Sequence, residues 1–93
     1  MSVTRINEFR AKDGQAQVLR DFLASIMPVI EASDGCSSCR LLRDLYDEKT
    51  FVIVEVWESV EAHKASFGNI TPEQLEEVTR LLAGPPQGRY LVE

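Results

Sequence analysis

The segment Phe51-Val-Ile-Val-Glu-Val-Trp57 leaves a folded chain few choices. A strand with one wet face alternates apolar and polar side chains. Here Phe51, Ile53, Glu55 and Trp57 on one side, and Val52, Val54 and Val56 on the other, are all apolar but for one glutamate. Both faces are therefore expected to be buried. A chain of 93 residues forms one domain, residues 1–93, and a domain of that size buries roughly 60 to 65% of its extended-chain surface. Its helices suffice for one face of a sheet. The other face is expected to pack against a second copy, giving a homodimer joined through the open sheet face.

Composition removes several function classes. Ten basic against fifteen acidic residues give a formal charge of −5 with no basic run, which argues against nucleic acid and against anionic membranes as partners. The apolar run Ile26–Ile30 is short and broken by Pro28, and Arg5, Glu8 and Arg10 interrupt the N-terminal segment, so neither a signal-peptide core nor a membrane span is expected. These features together suggest a cytoplasmic protein. Cys36 and Cys39 are the only cysteines. A zinc site would need two more ligands from a chain with one histidine, so no metal is expected. As residues three apart on a strand, the two thiols are expected on opposite faces, about 10 Å apart and unbridged.

The order of elements reads strand, helix, strand, strand, helix, helix, strand. Val3–Arg10 alternates as Val3, Arg5, Asn7, Phe9 against Thr4, Ile6, Glu8, Arg10, and Lys12-Asp13-Gly14 turns the chain. Between Gln15 and Ser33, Val18, Leu19, Phe22, Leu23, Ile26, Met27 and Ile30 recur at three and four residues, the mark of an amphipathic helix, with Pro28 expected to kink its last turns. Cys36–Asp44 reads as a strand joined to the central one by a polar loop. Ser59 is a good N-cap for a short helix reaching Phe67, on which Val60, His63 and Phe67 form one stripe. Thr71-Pro-Glu-Gln74 is a capping box opening a helix whose buried face is Leu75, Val78, Leu81 and Leu82, and Arg89–Glu93 is expected to close the sheet. The fold class is α+β: an antiparallel ferredoxin-like βαββαβ sheet with helices on one face and the second crossover helix split in two.

The turn Lys12-Asp-Gly14 before a long helix, Asp34-Gly-Cys36 opening the second strand, and Phe51-Val-Ile-Val-Glu-Val-Trp57-Glu-Ser-Val-Glu-Ala62 resemble the antibiotic biosynthesis monooxygenase (ABM) family of dimeric α+β barrels. The resemblance spans nearly the whole chain. It implies a pocket between sheet and helices in each subunit and, as in the quinone-forming members, oxidation of a small aromatic or quinol-type molecule with O₂ by a cofactor-independent monooxygenase that uses neither metal nor flavin. A proton acceptor, an apolar cavity and donors for the developing oxyanion are the protein's share of that chemistry. Some positions depart from the family pattern. Ser66 stands where many members carry histidine, and Ile53 where the anthrone-oxidising branch places asparagine. Asn7 matches the first residue of the haem-degrading Asn, Trp and His triad, but Ser66 replaces its tryptophan, which disfavours haem degradation.

Within that frame the catalytic candidates are His63, Asn7 and Trp57. His63 titrates near neutrality and is the first choice for proton acceptor, against the plainer reading of a core histidine. Trp57 offers a flat ring for stacking and an indole N–H as donor, or equally a wall of the core. Asn7 would orient substrate or else bond to backbone. Phe22, Ile53, Glu55, Ser66 and Phe67 are the candidate substrate-binding residues. Glu55, in an apolar strand, is expected to pair with Arg40 or Arg43 rather than to act as a base. A non-catalytic module that binds or senses a small molecule in the same cavity is the competing function.

Overall fold

The computed structural model describes residues 2–93. Four strands, β1 (Val3–Arg10), β2 (Cys36–Arg43), β3 (Thr50–Trp57) and β4 (Gln87–Leu91), form one antiparallel sheet in the order β2-β3-β1-β4. Helices α1 (Ala16–Glu31), α2 (Val60–Ala65) and α3 (Pro72–Leu81) pack on the same face, with a 3₁₀ turn at Ser66–Asn69 between the last two. This is the ferredoxin-like α+β fold expected from the element order.

The central strand behaves as its composition requires. Phe51, Ile53, Glu55 and Trp57 are buried beneath the helices. Val52, Val54 and Val56 lie on the opposite face, where they are half-buried within a single chain. Phe51 and Ile53 join Leu19, Leu23 and Ile26 of α1, with Ala11 and Leu82, in the main core. The end of α3 is stitched to the end of β1 by two backbone bonds, Lys12 N–H to Leu81 O and Ala83 N–H to Arg10 O, while Leu82 N–H closes the last turn of α3 on Thr79 O. Residues Val78 and Leu75, one and two turns earlier on α3, are thereby held over the sheet.

Local signals explain the helix boundaries. The Ser59 hydroxyl accepts the Ala62 N–H at 3.1 Å and starts α2. Thr71 and Gln74 exchange the two bonds of a capping box and start α3, with Pro72 in its first turn. Pro28 sits inside α1, which continues to Glu31 and ends with the Ala32 and Ser33 N–H groups on the Pro28 and Ile30 carbonyls.

Several expectations are corrected. The α2 helix stops at Ala65 rather than reaching Phe67, because the chain tightens into the 3₁₀ turn. The last strand begins at Gln87, two residues early: pairing with β1 starts at Glu8 opposite Gln87 and runs out at Thr4 opposite Leu91, which leaves Val92 and Glu93 beyond it. Cys36 and Cys39 share a face. A β-bulge between Cys36 and Ser38 puts Cys36 opposite Trp57 and Cys39 opposite Glu55, so both stand on the helix side. Both thiols are free. Burial first, and then the Glu55 charge, push the Cys39 thiol up to about 12, which keeps it protonated.

Gly35 fixes where α2 lands. Its φ is +87°, its carbonyl accepts the Glu58 N–H at 2.8 Å, and a Cβ there would sit 2.7 Å from the Ala62 Cβ. Gly14 also has a positive φ, +80°, but open space around it. Gly14→Ala is expected to cost only the left-handed backbone penalty of about 1 to 2 kcal/mol. Gly35→Ala should add about 1 to 3 kcal/mol of overpacking against α2. Urea denaturation of the two variants side by side measures the difference, and equal losses would mean that the contact with Ala62 does not hold the helix.

Candidate active site

Strand parity assembles the site. Arg5, Asn7 and Phe9 of β1 share the helix-facing side with Ile53, Glu55 and Trp57 of β3, because Arg5 lies opposite Glu55 and Asn7 opposite Ile53. On the other flank Arg5 lies opposite Tyr90 and Asn7 opposite Gly88 of β4. Above this floor α1 supplies Phe22, Leu23, Ile26 and Ile30, α2 supplies His63, and α3 supplies Leu75 and Val78. The cavity has a volume of about 190 Å³ and is lined chiefly by apolar side chains. Phe67 and Leu75 line it while remaining 59% and 54% exposed, so they form its apolar lip.

At one end of this cavity a polar network replaces the hydrocarbon. The buried carboxylate of Glu55 accepts the Trp57 indole N–H at 2.7 Å on one oxygen and the Asn7 amide N–H at 3.1 Å on the other. Asn7 Oδ1 in turn accepts the Arg5 Nε–H at 2.9 Å. His63, 5% exposed, places Nε2 3.8 Å from Glu55 Oε1 and Nδ1 2.6 Å from the Tyr90 hydroxyl. Its ring makes edge contacts with Trp57, Phe67 and Tyr90 at centroid distances of 5.3, 4.9 and 5.4 Å. Two neutral donors satisfy the carboxylate, so it meets no cation at bonding distance. Burial consequently holds the Glu55 carboxyl above the usual carboxylate range, although the bonds from Trp57 and Asn7 pull the other way. Burial also lowers His63 below the usual imidazole value, with the Arg5 charge acting in the same direction.

The site unites the sequence candidates and redefines several of them. His63, Asn7, Trp57, Phe22, Ile53, Glu55, Ser66 and Phe67 all line the one cavity. Glu55 does not pair with Arg40 or Arg43. Arg40 lies opposite Val54 and so on the other face, and Arg43 lies opposite Phe51, four residues along β3, or about 13 Å at strand rise. Asn7 bonds to side chains on both sides rather than to backbone. The Trp57 N–H is engaged by Glu55 and presents no free donor to a ligand. Ser66 Oγ donates to the His63 carbonyl at 2.6 Å, closing the last turn of α2. Arg5 and Tyr90 were not among the sequence candidates. Arg5 was within reach, since it alternates in phase with Asn7, whereas Tyr90 depends on the register of β4. Among the described residues no group of three or more His, Cys, Asp or Glu side chains is placed to hold a metal ion, and no helix is long and apolar enough to cross a membrane.

A family model described as antibiotic biosynthesis monooxygenase matches residues 2–74. No curated protein sequence matches the chain. Among solved structures, Rv0793 from Mycobacterium tuberculosis is 25% identical with a TM-score of 0.85, over 100% of this chain and 95% of that one. PA3566 from Pseudomonas aeruginosa is 23% identical with a TM-score of 0.84, over 99% and 93%. SnoaB, a cofactor-independent oxygenase from Streptomyces nogalater, is 17% identical with a TM-score of 0.79, over 99% and 92%. The last two likenesses speak to the fold alone.

The raised carboxyl has a thermodynamic signature. From the ordinary glutamate value of 4.5 up to the higher folded value, the folded chain keeps a proton that the unfolded chain has released. Stability from this group is therefore full below 4.5 and is lost as pH rises through the folded value. Glu55→Gln removes that slope, so denaturation midpoints measured from pH 4 to 7 should shift in favour of the variant, relative to the native chain, as pH increases. A constant difference across the range would contradict the assignment.

Proposed function

The chain belongs to the antibiotic biosynthesis monooxygenase family, and on that premise we propose that it is a cofactor-independent monooxygenase acting on a one- or two-ring phenol- or quinol-type substrate. One observation carries the reading: a buried imidazole, kept neutral by its surroundings, borders an aromatic-walled cavity with a carboxylate behind it. The volume of about 190 Å³ falls below the roughly 300 Å³ at which ligand pockets usually begin, which favours a one- or two-ring ligand over an anthrone or a haem.

This mechanism requires the tautomer in which His63 Nδ1–H donates to the Tyr90 hydroxyl, 2.6 Å away, which leaves the Nε2 lone pair to take the phenolic proton. Glu55, 3.8 Å from Nε2, stabilises the imidazolium that results. The electron-rich phenolate passes one electron to O₂, the radical pair joins at ring carbon, and loss of water gives the quinone. A naphthol, for example, takes up one O₂ and yields a naphthoquinone and one H₂O. Phe22, Ile53 and Phe67 hold the ring, and Asn7 and Trp57 position the carboxylate.

A second reading has its own support. The Asn7 and Trp57 donors that would greet an oxyanion are both committed to Glu55, which suits a module that binds a small aromatic molecule without turning it over. Oxygen uptake separates the two. With 1-naphthol and related phenols under air, uptake and retention of one ¹⁸O atom in the quinone are expected, and His63→Ala should abolish both. Binding without uptake would leave the module. Because the imidazole is depressed below 6.5, kcat/KM should climb with pH through an inflection under that value and level off above it. An inflection above 7 would rule out His63 as the base.

The reading includes a cytoplasmic homodimer joined through the open sheet face, supported by Val52, Val54 and Val56 standing half-buried beside Ile6. Sedimentation at micromolar concentration should give about twice the 10.5 kDa chain mass, and Val54→Asp should give the single chain. A native chain that sediments alone would remove the dimer from the proposal.

A further inference from the structure

Arg5 is the only lysine or arginine lining the cavity among the described residues. It is half-buried, and its guanidinium carbon lies 4.5 Å above the centre of the Tyr90 ring. Its Nε–H is held by Asn7 Oδ1, and the position on β4 opposite Asn7 is Gly88. A Cβ at Gly88 would come within 2.6 Å of Arg5 Cζ and 2.7 Å of Asn7 Oδ1, and closer still to Arg5 Nη2. The guanidinium thus occupies the space that the missing side chain leaves, clamped between an aromatic face, an amide and bare backbone.

That clamp leaves the charge unspent. Among the described residues, no carboxylate lies within ion-pair distance of Arg5, although Glu55 is its cross-strand neighbour. Asn7 stands between them, taking the Arg5 Nε–H on its oxygen and giving its own N–H to Glu55. Of the five guanidinium N–H groups, one is used by a side chain, and the two Nη nitrogens keep the planar pair of donors that matches a carboxylate. A cation half-buried in this way, fixed in geometry and bordering an apolar cavity, is arranged for a ligand's anion.

We propose that Arg5 recognises an acidic substituent, so that the cavity takes hydroxyarene carboxylates: the ring lies among Phe22, Phe67 and Trp57, the carboxylate on Arg5, and the phenolic hydroxyl at His63. The inference rests on the aromatic cavity described under the proposed function but not on turnover within it. Gly88 is a positioning residue in this scheme, since it gives the guanidinium its place.

Calorimetric titration without oxygen tests it, using 1-hydroxy-2-naphthoate and the near-isosteric amide 1-hydroxy-2-naphthamide. The acid should bind the native chain about 10- to 100-fold more tightly than the amide, as a charge-assisted bidentate pair would give. Arg5→Gln should abolish that preference while leaving amide binding within about threefold. Gly88→Ala, which retains the arginine but displaces its guanidinium, should reduce the preference as well, and it serves as the second variant if Arg5→Gln does not fold. Equal affinity of acid and amide for the native chain overturns the proposal, as does a preference that survives both variants. Acid binding that depends on Arg5, without oxygen uptake, supports the anion site and removes the monooxygenase. Turnover of 1-naphthol with no preference for the acid does the reverse. If neither probe binds, both proposals fall.

Discussion

A carboxylate in the middle of an otherwise apolar strand is the constraint around which this molecule is arranged. Leaving Glu55 unpaired in the core would cost several kcal/mol, and a close cation would answer it most simply. The fold answers it with the Trp57 indole and the Asn7 amide. That solution keeps the carboxyl perturbed, keeps Arg5 unneutralised, and leaves His63 Nε2 facing an acidic group 3.8 Å away. A direct Arg5–Glu55 ion pair across the same register would have silenced all three groups at once. The cavity therefore owes its chemistry to an amide inserted between two charges.

The supporting architecture is ordinary by comparison. The core formed by α1, Phe51, Ile53 and Leu82 runs into the cavity, sharing Leu23, Ile26 and Ile53 with its wall, and the polar network of Asn7, Glu55, Trp57 and His63 lies beyond them. Gly35 and the bonds joining the end of α3 to β1 set the two helices that close the cavity, α2 from one side and α3 from the other. A membership read from fold landmarks fixes this frame. What distinguishes the chain within it is the handful of polar groups at the floor.

Much of this was legible in the residues, for physical reasons that differ by element. The two-sided apolar pattern of Phe51–Trp57 marked a central strand, and Thr71 with Gln74 marked a helix start, because both signals are local and depend on period or on one side-chain bond. The site candidates came together because strand parity puts Asn7, Ile53, Glu55 and Trp57 on one face wherever the strands pair. What stayed hidden needed register. The partner of Glu55 depends on which residue stands opposite it, and Arg40 fails by one position and therefore by a whole face. The placement of Cys36 and Cys39 depends on a bulge that no alternation reveals, and the role of Tyr90 on where β4 begins after Pro86.

Trp57 is the chain's only tryptophan, and it is almost wholly enclosed, bonded to the Glu55 carboxylate and set edge-on to an imidazole. Protonated carboxyls and protonated imidazoles quench indole far more than their deprotonated forms do, and apolar enclosure shifts its emission to the blue. The indole fluorescence of the protein is consequently the fluorescence of its cavity floor. Light emitted by that indole reports on the charge and occupancy of a single place.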